Sequence, residues 1–186
     1  MAEAIWIISN SIALVQYARI ANTDDREYSQ KLTLDLTKIC LLVSAVAVVV
    51  LCLLPPPFYV FVFGKDFGAM AHLIHILAPG ILFYCVFLIL GHYYSGTGRY
   101  QMNTFAAPCG LAVTCALGFT LIPRMDITGA AITSAVSYTA NAIFLFVFFL
   151  KESHFKGKDF ILRKSEVRNY IAELKQQFSK QPTDNE

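Results

Sequence analysis

Between Ile39 and Leu150 the chain carries only five formally charged side chains, Lys65, Asp66, Arg99, Arg124 and Asp126. The four long stretches they leave, 39–64, 67–98, 100–123 and 127–150, each exceed the roughly 20 residues that a helix needs to cross a bilayer. A water-soluble domain would place about a quarter of its residues as Asp, Glu, Lys or Arg. Here the share is 15% of 186 residues, and 56% are hydrophobic. The chain therefore reads as an integral membrane protein, all-α and polytopic. Five transmembrane helices are expected at about 4–20, 32–54, 70–94, 104–122 and 129–150. They form a membrane domain over 1–150, followed by a cytoplasmic tail over 151–186.

The first span is the most polar, with Ser9, Asn10, Ser11, Gln16 and Arg19. Unpaired polar groups in hydrocarbon cost several kcal/mol each, so this helix should sit inside a bundle or line a cavity. ANTDDREYSQ (21–30) reads as a polar loop. The second span ends at the prolines 55–57, which cannot donate to a helix ladder. FYVFVFG (58–64) is too short to cross and reads as an interfacial or re-entrant piece.

In the third span, AHLIHILAPG (71–80) sets two histidines three positions apart ahead of Pro79 and Gly80. The proline ring displaces the hydrogen bond to the His75 carbonyl, so a kink or hinge is expected at Pro79–Gly80. Two histidines fall short of the roughly four ligands of a closed metal site, so no metal is expected. The five cysteines, Cys40, Cys52, Cys85, Cys109 and Cys115, lie inside apolar segments without CxxC spacing. They read as small hydrophobes.

Two stripes repeat every fourth residue. Ala106, Gly110, Thr114 and Gly118 mark the fourth span, and Gly129, Thr133, Ser137 and Asn141 mark the fifth. Small residues at that spacing let helices approach closely; lining of a cavity is the alternative. AIFLFVFFL (142–150) is apolar all round and should meet lipid. In the tail, SEVRNYIAELKQQF (165–178) has the spacing of an amphipathic helix at the membrane surface, with Ser165 as its N-cap, and the last six residues should fray.

Five spans put Lys and Arg on alternate sides very unevenly. Arg19, Arg26, Lys31, Lys38, Arg99 and eight tail residues share one side, and Lys65 and Arg124 share the other. The excess of positive charge marks the cytoplasm. The tail is therefore expected inside the cell and the N-terminus outside, in the cytoplasmic membrane.

No nucleophile–base pair, HExxH or phosphate-binding glycine loop is present. No enzymatic activity and no cofactor are expected. Acids alternate with bases in the tail, so no nucleic-acid partner is expected either.

Several motifs together resemble the C-terminal half of polysaccharide flippases. Their superfamily, the multidrug/oligosaccharidyl-lipid/polysaccharide exporters, also contains multidrug and toxin extruders and lipid II flippases. The motifs are a proline-ended span, then Phe63–Gly64 and Phe67, Leu77–Gly80 and the turn Gly96–Arg99. LIPRMDITGAAITSAVSY (121–138) and IWIISNSIALVQYARIAN (5–22) are similar to further family segments, with Ala18 where a proline is common.

This resemblance implies one incomplete lobe of a transporter that moves an isoprenoid-pyrophosphate-linked oligosaccharide across the membrane by alternating access. The service would be O-antigen-type or lipopolysaccharide biosynthesis. Family proteins have 12 to 14 spans, so this chain would be a fragment, or would be completed by the missing N-terminal lobe or another chain. Asn10, Gln16, Arg19, His92, Ser137 and Asn141 are the candidate cavity residues, with Arg19 as a pyrophosphate contact or a membrane-end anchor. A cation-coupled drug exporter of the same fold would want an embedded carboxylate, and Asp35 is the nearest. A non-transporting membrane subunit is the other alternative.

Overall fold

A computed structural model describes residues 2–160, with side chains placed from Trp6 onward except at position 8. The tail helix expected over 165–178 and the fraying end lie outside the described residues. All regular structure described is helical. It comprises α1 (Ala2–Ala21), α2 (Arg26–Leu53), α3 (Pro56–Phe63), α4 (Met70–Gly96) and α5 (Gln101–Glu152), with 3-10 turns at Lys65–Phe67 and Gly157–Phe160. The chain is an all-α membrane protein: α2, α4 and α5 are each long and apolar enough to cross a bilayer. It divides into two compact units, Met1–His154 and Phe155–Glu186. All five α-helices belong to the first. In the second, the Lys156 N–H donates to Asp159 Oδ2 at 2.8 Å.

The second helix begins earlier than its apolar run, at Arg26. Asp25 caps it: Oδ1 accepts from the Tyr28 N–H at 3.0 Å, and the Asp25 carbonyl accepts from Ser29 Oγ at 2.9 Å. Glu27 in the first turn suits the positive end of the helix dipole. Most of the expected loop 21–30 is thus helix that a search for apolar runs passes over.

Pro56 starts α3, where a missing N–H costs nothing. Its eight residues reach about 12 Å, too little to cross. Gly64, at φ 103, ends it in a backbone conformation that favours glycine. Tyr59 is fully buried, and its hydroxyl donates to the Leu51 carbonyl at 2.5 Å, satisfying an acceptor in the last turn of α2.

The central helix is α4, which packs against α1, α2 and α5 and runs on through Pro79. Cys85, Ile89, Leu90, Tyr93 and Tyr94 are shut away from solvent. Tyr93 meets Phe149 edge-on, with centroids 5.0 Å apart. The 142–150 stretch is accordingly not lipid-facing all round. Ala142, Leu145 and Phe149 are buried, while Ile143 and Val147 stay exposed. An apolar α4 needs an apolar partner, and these three buried residues help supply it.

The last helix folds back on itself. At Asp126 the backbone leaves helical geometry (φ 47, ψ −126), separating arms 101–125 and 127–152. The arms run antiparallel, because Gly110 meets Asn141, Thr114 meets Ser137 and Leu121 meets Gly129. The two four-residue stripes face each other. Thr114 Oγ1 donates to Ser137 Oγ at 2.9 Å, and Ser137 Oγ donates to the Gly110 carbonyl at 3.0 Å. Outward-facing side chains include Val46, Leu111, Phe119 and Val147, a coat suited to hydrocarbon or to another apolar surface.

Candidate functional site

In such a bundle the informative side chains are those that are polar or amphipathic and left partly open. Steps of four and seven residues bring a helical side chain back to within about 40° of its starting direction. Trp6, Asn10 and Tyr17 therefore form one stripe on α1. From α4, Tyr84 stands 4.5 Å from Trp6 between ring centroids. The second arm of α5 adds Tyr138, 5.7 Å from Trp6 and 5.0 Å from Tyr84. Two helical turns farther along α4, His92 meets Tyr17 edge-on at 6.5 Å. His92 Nδ1 lies 2.9 Å from the Leu88 carbonyl. A carbonyl only accepts, so Nδ1 carries the proton and Nε2 of the neutral ring is left as an acceptor.

Trp6, Tyr84, Tyr138 and His92 are half-buried; Asn10 and Tyr17 are exposed. The indole N–H of Trp6 is buried without a hydrogen-bond partner. The result is an aromatic cluster with an amide, an imidazole and a phenol alongside it, shared by α1, α4 and the second arm of α5.

Two of the residues expected to line a cavity, Asn10 and His92, join this surface. The others lie elsewhere. Gln16 is fully buried between α1 and α2, where its Nε2 donates to Thr33 Oγ1 at 2.9 Å. Arg19 is exposed and sits roughly 140° around α1 from Trp6. There it borders an open hollow with Val15, Asn22 and Tyr28. Ser137 and Asn141 lie between the arms of α5. Gly80 is packed against Ala135: a Cβ added there would lie 2.5 Å from the Ala135 Cα. Pro79 is exposed one position earlier.

Sequence reasoning did not select Trp6, Tyr17, Tyr84 or Tyr138. A signal was available for two of them. Amphipathic rings normally sit at the ends of a membrane span, whereas Tyr84 and Tyr138 stand far inside their helices.

Two polar groupings hold the bundle together. Deep inside, Ser9 Oγ lies 3.4 Å from Ser44 Oγ and donates to Cys85 Sγ at 3.3 Å, with Ser44 Oγ 3.0 Å from the same sulfur. All five thiols are free. Among the described residues no three His, Cys, Asp or Glu side chains converge as metal ligands. His72 and His75 are both exposed near the start of α4, and His75 Nδ1 bonds the Ala71 carbonyl at 2.6 Å.

The second grouping joins helix ends. Arg99, in the turn after α4, donates from Nη1 to Glu152 Oε2 at the end of α5. Arg26 Nη2 approaches the same oxygen at 3.6 Å, and Gln30 Nε2 donates to the Glu152 carbonyl at 3.3 Å. The Arg99 guanidinium also lies over the Tyr94 ring, 5.7 Å from its centroid. The Glu152 bond raises the arginine above its ordinary pKa, against the opposing effect of partial burial. Asp24 and Asp25 line the hollow of about 490 Å³ beside this pair. Acids and bases there nearly balance, which suits a tie between helices better than a site for a free anion.

A family model described as lipid II flippase MurJ matches residues 3–172. A capsular polysaccharide biosynthesis protein, CapF, of Staphylococcus aureus is 26% identical over 146 residues. That alignment covers 77% of this chain and 37% of the relative, so the chain spans little more than a third of that protein's length. No solved structure matches.

Proposed function

The chain belongs to the lipid II flippase MurJ family, and from that membership we propose that it forms the C-terminal lobe of a flippase for a lipid-linked glycan precursor. The observation that carries the reading is the partly open cluster of Trp6, Asn10, Tyr17, Tyr84, His92 and Tyr138, which sets an indole and phenols beside an amide and an imidazole where α1, α4 and α5 meet. In this reading α1, α2, α4 and the two arms of α5 make five crossings of the cytoplasmic membrane. The basic tail is cytoplasmic, as the positive-inside rule requires. The aromatic–polar surface faces a second lobe, supplied by further sequence or by another chain.

Such a lobe does no covalent chemistry. Moving a sugar through hydrocarbon needs its lost hydration replaced by hydrogen bonds from a shielded cavity. The isoprenoid stays in the bilayer, and rocking of the lobes exposes the cavity to each side in turn. The substrate class is an isoprenoid-pyrophosphate-linked oligosaccharide for surface polysaccharide.

Deleting the gene in its own cell tests this. The expected outcome is accumulation of the lipid-linked precursor in the inner leaflet and loss of surface glycan, with drug tolerance unchanged. Altered drug tolerance with intact glycan would favour an exporter of the same fold. Loss of a co-purifying membrane protein, with precursor distribution unchanged, would favour a stabilising subunit.

A further inference from the structure

We propose that the Trp6–Tyr84–Tyr138 cluster is a stacking platform for a sugar ring of the transported headgroup; this rests on the flippase reading and names the part of the substrate that this surface holds. Three rings within 4.5–5.7 Å of one another, drawn from three helices, present quadrupolar faces and polar edges that an aliphatic patch of equal area lacks. An isoprenoid chain needs no such assembly, since the Val, Leu and Ile side chains on the rest of the bundle would serve it equally well.

A pyranose differs from an isoprenoid in having two kinds of surface. One face presents C–H bonds with slightly positive hydrogens, which the negative face of an aromatic ring attracts. The rim carries hydroxyl and amide groups that need partners once water is removed. Both kinds are answered here. The rings offer faces, and polar groups flank them. Asn10 stands one turn from Trp6, and the Tyr17–His92 pair lies farther along α1 and α4, with His92 Nε2 left to accept.

The buried, partnerless indole N–H of Trp6 is the second observation. A donor closed off in a bundle without an acceptor is destabilising unless a ligand completes it. A sugar oxygen would do so only as the rings part to admit it, because the N–H is closed to solvent in this arrangement. A cationic ligand could also use aromatic faces. Among the described side chains, the three rings are accompanied by an amide, an imidazole and a phenol, and the tetraethylammonium arm of the test below decides between a sugar and a cation.

Trp6 is the only tryptophan in the chain, so its emission reports on the platform directly. The full 186-residue chain in nanodiscs would be titrated with three probes. These are a short isoprenyl pyrophosphate carrying N-acetylglucosamine, the same isoprenyl pyrophosphate without sugar, and tetraethylammonium. Native mass spectrometry would count bound lipid independently. The expected result is a saturable change in Trp6 emission with the sugar-bearing probe alone. Tyr84→Leu and Tyr138→Leu, which keep apolar bulk, should each weaken that response about three- to tenfold. Asn10→Ala, at an exposed site that folding does not need, should weaken it as well.

Equal emission changes with and without the sugar, or a response to tetraethylammonium, would overturn the platform. So would an unchanged affinity in both tyrosine variants. In each of these cases lipid binding seen by mass spectrometry would leave the flippase reading standing. Retention of neither isoprenyl probe would remove that reading, and the platform with it.

Discussion

The side-chain amide of Asn141 occupies the space that a Cβ on Gly110 would need, so the two arms of α5 close on each other at a glycine. The same crossing carries the Thr114–Ser137 and Ser137–Gly110 hydrogen bonds. Gly110→Ala should therefore destabilise the hairpin by about 1–3 kcal/mol, the usual cost of overpacking. Asn141→Ala alone should be mild, because its Oδ1 is buried without a partner. The double variant should recover most of the loss. Unfolding of the four proteins in detergent forms a double-mutant cycle, and additive effects would show that the arms do not meet here.

Gly80 was expected to act as a hinge with Pro79, and the structure gives it a second role as a contact. Its neighbour Ala135 is near enough that an added Cβ would lie 2.5 Å from Cα and 2.9 Å from Cβ. Gly80→Ala should separate α4 from the second arm of α5 and cost about 1–3 kcal/mol. Ala135→Gly should rescue it only in part, because the Cα clash remains. Pro79→Ala tests the hinge separately. It restores a helix hydrogen bond and should raise thermal stability while slowing precursor export. Unchanged export in a stabilised Pro79→Ala protein would remove the hinge role.

The Arg99–Glu152 tie should resist alkali and yield to substitution. The folded arginine is held above its ordinary value by Glu152. A raised pKa contributes stability that is present below the unfolded value and lost only as pH rises through the folded one. For arginine both lie above the working range of a protein, so no loss through Arg99 is expected up to pH 10. Glu152→Gln should cost about 1 kcal/mol, discounted because the Arg99 side chain is 39% exposed. Arg26→Ala should cost less than about 0.5 kcal/mol, since that side chain is 63% exposed and its contact is 3.6 Å. Melting temperatures in low and high salt check both. A larger loss from Arg26→Ala than from Glu152→Gln would reverse the assignment.

These residues also show what the sequence could say. The stripes Ala106–Gly118 and Gly129–Asn141 were legible as close-packing faces, because small side chains four apart leave a smooth surface. That each is the other's partner was not legible, since spacing along one helix says nothing about what lies opposite. The start of α2 was missed for a related reason: Asp25 caps six polar or charged residues, Arg26 to Lys31, that are helical outside the apolar run. Asn10 and His92 could be singled out as polar groups in spans. Their meeting with Trp6, Tyr84 and Tyr138 depends on how α1 and α5 flank α4, which no local pattern encodes. Arg19 and Gln16 are both polar residues of one span, yet the roughly 60° between them leaves one at the surface and the other in the α1–α2 contact.

Gln16 offers the sharpest separation of packing from transport. It is fully buried, donating to Thr33 Oγ1 at 2.9 Å while its own Oε1 has no partner. Thr33 does not depend on it, because Thr33 Oγ1 also donates to the Ser29 carbonyl at 2.7 Å. Replacing the amide by an apolar side chain of similar bulk therefore strands no group. Gln16→Leu should change stability by less than about 1 kcal/mol, in line with hydrogen bonds between membrane helices that average about 0.6. Gln16→Ala should cost about 2–3 kcal/mol through the void it leaves. Surface glycan should persist in the Leu variant, because the side chain bonds α2 and not the Trp6–Tyr84 cluster. A stable Gln16→Leu protein that exports no glycan would place this residue on the substrate path and redraw the cavity on the α2 side of α1.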